Sequence, residues 1–360
     1  MKNKNILIVI DSLGLGGAEH VVLTLATEFI SIGHRVDIIL IDDIVEQEIP
    51  KSIQLYKLGF EKSFLDYQRY SNKLHKKIDA LEKEHKKTFD LILVNLQKST
   101  RLMNQYKHKN IYHVIHNTLS QTSLKNRKGL RRYLKKRSLR KIYNNLNLIT
   151  VSEGVAKDVK EVVGISPKSI QRIYNPINKQ ELQEKANEVS SLELDEYIIH
   201  VGRFDVQKNH LCLIKAFAQS DINIPLVLVG DGELKKEIQD KIDELELNER
   251  VIMIGQTKNP YPLIANAKAL ILSSDYEGLS MVIIEALALN IPVISTDCPF
   301  GPSEIMSGEL SQYLVALNEE NKLAEQIENV VANGYIIPEN QIQKFESATI
   351  IKQYLSLIKE

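Results

Sequence analysis

Two glutamates eight positions apart, Glu277 and Glu285, are the first candidates for chemistry in this chain. The sequence around them predicts a strand at 269–273, a polar turn that carries Glu277, and a helix at 280–289 that carries Glu285. The helix is mainly apolar, and an unpaired buried charge is costly. Glu285 therefore needs a polar partner or a polar ligand.

Two cations, Arg203 and Lys208, follow a predicted strand that ends at Val201. They lie five residues apart on the loop after that strand. Arginine can bind a diphosphate bidentately and lysine can bind it as a point charge, so the pair suits a diphosphate ligand. The spacing alone fits equally well two surface cations in minor salt bridges.

A glycine-rich turn at 14–17 joins a strand predicted at 6–10 to an amphipathic helix predicted at 18–31. At this helix N-terminus the backbone amides of Gly16 and Gly17 would favour an anion. The dinucleotide-binding fingerprint has a third glycine that is missing here, which argues against an NAD site. A tight structural turn is the alternative interpretation.

Weaker candidates lie at the ends of other predicted strands. His116 follows a strand predicted at 112–115, although an isolated histidine is more often structural. Gly255 begins a loop, and 230–232 is a Gly-Asp-Gly turn whose glycines allow close backbone approach. The amides at the start of the Glu285 helix suit a phosphate. They belong to Gly278, Leu279 and Ser280.

Strand and helix patterns alternate along the whole chain, which favours α/β architecture with parallel sheets covered on both faces. The length of 360 residues suits two such domains. We place the linker in the polar stretch 178–195, so that the predicted domains are 1–177 and 178–343, with a C-terminal helix in 344–360. The remaining strand candidates are 35–41, 91–95, 147–151, 170–173, 197–201, 226–229, 251–254 and 291–295.

The overall composition gives no sign of a polyanionic partner or a membrane span. Basic and acidic residues number 46 each, so bulk charge favours neither nucleic acid nor lipid. No apolar run approaches the roughly 18 residues that a membrane-spanning helix needs. Cys212 and Cys298 lie far apart and belong to no metal-ligand cluster, which predicts reduced core residues of a cytoplasmic protein.

One segment departs from this neutral balance. Between Lys125 and Lys141, ten of seventeen residues are Lys or Arg and none is acidic. Such a segment suits an anionic membrane surface or a polyanionic acceptor, and a solvated helix face is the alternative. Nucleic acid is disfavoured because no aromatic platform accompanies the charges. A partial apolar stripe, which Gly129 interrupts, consists of Leu130, Tyr133, Leu134 and Ile142.

The stretch EGLSMVIIEALALNIPVIS, from Glu277 to Ser295, resembles the signature of family-four retaining glycosyltransferases. GRFDVQKNH in the second half and GGAEH in the first resemble further elements of that family, and the likeness is stronger in the second half. Two positions depart from the common pattern. Ser280 stands where proline is frequent, and Asn290 stands where glycine is frequent.

The resemblance implies a GT-B fold, in which two Rossmann-like domains face a central cleft and the last helix crosses back onto the N-terminal domain. It also implies a retaining, metal-independent glycosyltransferase with no cofactor. The donor is a nucleotide-sugar, taken to be a UDP-sugar. The acceptor is lipid-linked or a polysaccharide of the bacterial cell surface. The basic run from Lys125 to Lys141, in a chain with no predicted membrane span, indicates that this acceptor is met at the cytoplasmic face of the plasma membrane.

The resemblance also implies roles for the candidates in the second half of the chain. Arg203 and Lys208 hold the donor pyrophosphate, and the turn around Glu277 orients the sugar. Glu285 anchors the ribose, while the main chain near Gly255 contacts the base.

In the first half, Gly16 and Gly17 are implied to close over the donor phosphate or the acceptor. His116 is implied to border the reacting centre. Two alternatives stay open at this point. One is a nucleotide-sugar 2-epimerase of the same architecture, and the other is a non-catalytic subunit that binds a nucleotide-sugar.

Overall fold

The structure, a computed structural model, describes residues 3–14, 16–60, 67–190 and 192–359. Leu15 of the predicted glycine-rich turn and Ser191 of the predicted linker lie outside the described residues. The chain divides into two compact units. The first consists of Met1–Pro176 with Ser347–Glu360, and the second of Ile177–Glu346.

Seven short strands form the sheet of the first unit. They are β1 (Asn5–Ile10), β2 (Arg35–Leu40), β3 (Gln54–Lys57), β4 (Leu91–Asn95), β5 (Ile111–Ile115), β6 (Asn147–Thr150) and β7 (Ser169–Arg172). Every pair is parallel, and the order is β3-β2-β1-β4-β5-β6-β7. The central strands are buried along their whole length, as apolar runs covered on both faces must be.

Six strands form the sheet of the second unit. They are β8 (Ile198–Val201), β9 (Leu226–Val229), β10 (Val251–Gly255), β11 (Ala269–Leu272), β12 (Val293–Thr296) and β13 (Leu314–Val315). They are also parallel, in the order β10-β9-β8-β11-β12-β13. One buried cluster joins the β8, β9 and β11 side chains to the helices that cover one face of this sheet.

The α-helices connect these strands in chain order. They are α1 (Gly17–Ser31), α2 (Tyr67–His85), α3 (Gln97–Met103), α4 (Leu119–Leu124), α5 (Gly129–Tyr143), α6 (Glu153–Lys157), α7 (Lys179–Ala186), α8 (His210–Gln219), α9 (Lys235–Glu244), α10 (Tyr261–Ala265), α11 (Met281–Ala288), α12 (Pro302–Ile305), α13 (Glu320–Asn333) and α14 (Ser347–Ser356). A π-helix, Asp158–Val163, continues α6, and short 3₁₀ helices span Gly308–Tyr313 and Gln343–Phe345. The helix α14 packs on α1, where the Tyr354 and Phe29 rings lie 6.2 Å apart.

The predicted strands are all present, within one or two residues at their ends. Two short strands, β3 and β13, and two long helices, α2 and α13, were not predicted from the pattern. The stretch proposed as a linker, 178–195, belongs to the second unit. Its helix α7 buries Leu182 and packs against α10.

The basic segment forms α5 from Gly129 onward, and the residues of this helix divide between two environments. Gly129 begins the helix with φ +50°, so the predicted interruption of the stripe at this residue is wrong. Ile142 is buried, whereas the other three stripe residues, Leu130, Tyr133 and Leu134, are exposed. Three cations hold the helix in place by donating to main-chain carbonyl groups. They are Arg132 to Leu124, Lys136 to Val162, and Arg140 to Val163.

Candidate functional site

The strand order of the second sheet reverses between the parallel neighbours β8 and β11. In open α/β sheets, ligands bind beyond the carboxyl ends of the strands at such a reversal. The loop after β8 carries Arg203 and Lys208, and the loop after β11 carries Glu277. The fold therefore brings the candidates of two distant sequence motifs to one edge of the sheet.

Lys208 and Glu277 form an ion pair, with Lys208 Nζ 2.7 Å from Glu277 Oε1. The side chains are 17% and 7% exposed, so water screens the pair poorly. Each charge would be costly to leave alone in this environment. A ligand that offers an anion to Lys208 must therefore compete with Glu277 for the ammonium group.

Neighbouring hydroxyl and amide groups hold both members of the ion pair. Ser274 donates to Glu277 Oε1 at 2.8 Å, and Gln207 Nε2 donates to Glu277 Oε2 at 3.2 Å. Ser273 donates to the Lys208 carbonyl oxygen at 2.8 Å. Both serines are fully buried at the end of β11. None of these three residues was a candidate from the sequence. The available signal was closeness in the chain, because Gln207 adjoins Lys208 and the two serines precede Glu277 by three and four positions.

The structure does not place Arg203 in this ion pair. Its side chain is 73% exposed, and its Nε lies 3.7 Å from Asp205 Oδ2. Asp205 also accepts from the main-chain N–H groups of Gln207 and Lys208, which makes the loop a tight turn. Arg203 thus lies at the mouth of the same loop but points into solvent.

Glu285 lies on the mainly apolar helix α11 and has a polar partner there, as the sequence predicted. The Tyr261 hydroxyl donates to Glu285 Oε1 at 3.4 Å. Burial raises the pKa of Glu285 to about 7, against the lowering effects of Tyr261, Lys185 and Lys208. The carboxylate therefore lies within the electrostatic range of Lys208 and titrates near neutral pH.

The backbone between Glu277 and α11 is buried, and its three candidates lie side by side. Gly278, Leu279 and Ser280 lead directly into the first turn of α11. The Ser280 hydroxyl is buried and has no hydrogen-bond partner among the described residues. The amides of this stretch therefore follow the Glu277 member of the ion pair directly in the chain.

The Gly-Asp-Gly turn at 230–232 is hydrogen-bonded to the loop that carries Arg203. Phe204 N–H donates to the Asp231 carbonyl group, and Leu234 N–H donates to the Phe204 carbonyl group. A side chain on Gly232 would overlap the Phe204 main chain, so this glycine serves a close backbone approach. Gly255 ends β10 at φ +84°, and its carbonyl group accepts from Gly230 N–H.

The candidates of the first unit lie at the carboxyl ends of β1 and β5. Gly16 precedes α1 and Gly17 opens it. The Glu19 carboxylate folds back against Gly16, where a β-carbon on that glycine would overlap it. An external anion at this helix N-terminus would therefore have to compete with the Glu19 carboxylate, which belongs to the helix itself.

His116 follows β5 and contacts a residue that the sequence analysis missed. Its Nε2 lies 2.9 Å from Asn95 Oδ1, at the end of β4. Burial lowers the pKa of His116 to about 4, so the ring is neutral at physiological pH. His113, within β5, is buried instead and lies 3.4 Å from Thr100 Oγ1, as expected for a packing residue.

Three further findings concern metal ligands, cysteines and apolar helices in the described ranges. No group of three or more His, Cys, Asp or Glu residues within these ranges could hold a metal ion. Both cysteines are buried thiols, as predicted. No helix within the described residues is long and apolar enough to cross a bilayer.

Two family models match the chain in succession. "Glycosyltransferase Family 4" matches residues 15–181, and "Glycosyl transferases group 1" matches residues 182–348. A Campylobacter jejuni protein, N-acetylgalactosamine-N,N'-diacetylbacillosaminyl-diphospho-undecaprenol 4-alpha-N-acetylgalactosaminyltransferase, is 31% identical over 335 residues. The match covers 90% of this chain and 89% of that protein. The chain belongs to glycosyltransferase family 4.

Further similarities of this family 4 glycosyltransferase cover part of the chain or its fold. The lipopolysaccharide 1,6-galactosyltransferase of Escherichia coli is 30% identical over 172 residues, 46% of this chain and 47% of that protein. The crystal structure of Anabaena HepE in complex with UDP matches with a TM-score of 0.78 at 20% identity and covers 98% of both chains. The predicted fold class is confirmed, and the epimerase alternative finds no support.

Replacing Glu285 with glutamine is expected to stabilise the ligand-free glycosyltransferase at about pH 8 but not at about pH 5. Because the folded state raises the pKa of Glu285 to about 7, folding stability falls as pH rises from the ordinary glutamate value through 7. The loss is on the order of 1 to 3 kcal/mol, and the variant lacks it. Urea unfolding at both pH values measures the gap between the proteins. A gap of equal size at both would contradict this account.

Proposed function

We propose that this glycosyltransferase transfers a sugar from a UDP-sugar to a lipid-linked or glycan acceptor, with retention of configuration and without a metal ion. The observation that carries the proposal is the shielded Lys208–Glu277 ion pair at the strand reversal, with Glu285 within the electrostatic range of Lys208. The names of the relatives support the acceptor class, since one acts on a diphospho-undecaprenol glycan and another on lipopolysaccharide. The UDP bound to HepE supports the donor class.

In the proposed reaction, the bond between the anomeric carbon and the β-phosphate oxygen breaks. A bond from the same carbon to the acceptor oxygen forms on the same face. The acceptor proton passes to the departing phosphate oxygen, so no covalent intermediate with the protein is required. Negative charge grows on the diphosphate, where the Lys208 ammonium stabilises it and Arg203 can add a second cation.

Two carboxylates complete the proposed donor site. Glu277, which Lys208 leaves for the diphosphate, accepts hydrogen bonds from the sugar, and Glu285 accepts from the ribose hydroxyls. The main chain at Gly255 contacts the base, and the amides at 278–280 contact the phosphates. From the first unit, Gly16, Gly17 and His116 contact the substrates. The nucleotide-sugar is a substrate, and the proposed reaction uses no cofactor.

Substituting Lys208 with alanine is expected to lower sugar transfer at least about 100-fold, because the developing diphosphate charge loses its buried cation. Thermal shifts with UDP- and GDP-sugars first identify the donor. UDP release is then measured with undecaprenyl-diphosphate-linked sugars as acceptors. Lys215→Ala, on α8 and 44% exposed, is the matched control and should retain transfer. Unchanged transfer in Lys208→Ala would favour the non-catalytic subunit instead.

We also propose that α5 holds the enzyme at the cytoplasmic face of an anionic membrane, where a lipid-linked acceptor is found. Leu130, Tyr133 and Leu134 are 71%, 57% and 52% exposed, and their spacing of three and four residues puts them on one helix face. Exposed cations lie in the same helix and in the residues just before it. They are Lys125, Arg127, Lys128, Arg131, Arg137 and Lys141. Apolar side chains framed by cations suit the surface of an anionic bilayer.

Sedimentation with lipid vesicles tests this membrane surface. Recovery on phosphatidylglycerol-containing vesicles should exceed recovery on phosphatidylcholine alone and fall with added salt. The triple variant Leu130→Ser, Tyr133→Ser, Leu134→Ser should bind about tenfold more weakly, because three insertable side chains are lost. The control is Val189→Ser with Ile336→Ser, which removes apolar residues that are 97% and 91% exposed outside the basic segment. Equal recovery on neutral and anionic vesicles would refute the proposal.

A further inference from the structure

The contact between Asn95 and His116 defines the hydrogen-bonding role of both side chains. Asn95 is buried at the end of β4, with its Oδ1 2.9 Å from His116 Nε2. Its Nδ2 lies 3.4 Å from the Val9 carbonyl oxygen and 3.3 Å from the Leu93 carbonyl oxygen. The other ring nitrogen, His116 Nδ1, is buried and has no hydrogen-bond partner among the described residues.

These neighbours fix the orientation of the Asn95 amide. Two carbonyl oxygens face its Nδ2, and a carbonyl oxygen can only accept. If the amide were turned over, Oδ1 would face both carbonyl oxygens with no proton between them. The amide oxygen must therefore face His116. The histidine nitrogen opposite an acceptor must carry the proton, which assigns the Nε2–H tautomer and leaves Nδ1 as a bare acceptor.

We propose that Asn95 is a positioning residue, which holds His116 as its Nε2–H tautomer so that Nδ1 accepts a hydrogen bond from a carbohydrate hydroxyl group. A buried acceptor without a protein partner is a position that a ligand donor or a water molecule fills. The substrates of a glycosyltransferase carry such hydroxyl groups, so this inference rests on the proposed function. It adds Asn95, which makes no predicted contact with substrate.

The tautomer also limits the chemistry open to His116. A neutral ring whose only N–H group donates to Asn95 cannot serve as a general acid, and its low pKa makes it a weak general base. His116 therefore orients a hydroxyl group and does not transfer a proton. Its contribution to rate depends on the ring angle that Asn95 sets.

Nitrogen NMR of histidine-labelled protein tests the tautomer without any assay of activity. The His116 signals are identified by their loss in His116→Gln. We expect a bare nitrogen at Nδ1 and a protonated nitrogen at Nε2 in the wild-type protein at neutral pH. A protonated Nδ1 would overturn the proposal, whatever the outcome of the transfer assays.

Kinetics then test the positioning role. Asn95→Leu should lower kcat about 10- to 100-fold, as a misplaced contact group does, and should leave the Kd for UDP unchanged. The double variant Asn95→Leu, His116→Gln should be no slower than His116→Gln alone, because both changes remove one interaction. Asn95→Asp keeps an acceptor for Nε2–H, and its protonated form keeps a donor toward the Val9 and Leu93 carbonyl oxygens, so it should recover part of the rate as the pH is lowered. Thr100→Val removes another buried polar contact of the first unit, to His113, and is the control that should retain full rate.

The outcomes separate this proposal from the proposed function. If Asn95→Leu transfers as fast as the wild-type enzyme, or if the two losses add fully, Asn95 does not act through His116. If no nucleotide-sugar is used by the wild-type protein, the proposed function fails while the NMR result still decides the tautomer.

Deoxy analogues of donor and acceptor identify the hydroxyl group that His116 contacts. The analogue that lacks this hydroxyl group should be used at the same rate by the wild-type and His116→Gln enzymes. If His116→Gln remains slower than the wild-type enzyme by the full factor with every analogue, the contact is refuted.

Discussion

The proposed donor site depends on the ion pair between Lys208 and Glu277. These two side chains belong to loops that follow β8 and β11, and they meet only because the sheet reverses its strand order between those strands. The same loops are joined by further hydrogen bonds, from Asn209 to Asp275 and from Gln207 to Glu277. Both side chains are therefore held at the end of the sheet before any ligand arrives, so that Lys208 has only to exchange the Glu277 carboxylate for a diphosphate oxygen in the proposed reaction.

The first unit uses the same physical arrangement with different chemistry. Its sheet reverses between β1 and β4, and the adjacent carboxyl ends carry Asp11 and Asn95. Asp11 accepts from the N–H groups of Lys98 and Ser99 at the start of α3, while burial raises its pKa. The second unit thus presents charged groups suited to a diphosphate. The first presents hydrogen-bonding side chains at the corresponding edge, which suit hydroxyl groups.

The sequence predicted the parts of this arrangement that short motifs encode. The strands beside each motif, the need of Glu285 for a polar partner and the position of Lys208 followed from apolar runs and loop composition. The partners could not be predicted, because they lie far along the chain: Gln207 and Glu277 are 70 residues apart, and Tyr261 and Glu285 are 24 apart. The division of α5 between carbonyl contacts and solvent was equally hidden, since composition cannot tell which cations face the protein.

The affinity of UDP for three proteins, measured by calorimetry, tests the central claim most directly. If Lys208 leaves Glu277 to bind the diphosphate, then Glu277→Gln removes a competitor and should bind UDP severalfold more tightly than the wild-type protein, although it transfers sugar poorly. Lys208→Ala should bind UDP at least about tenfold more weakly. Equal affinities of all three proteins would contradict the claim that this ion pair is the donor site.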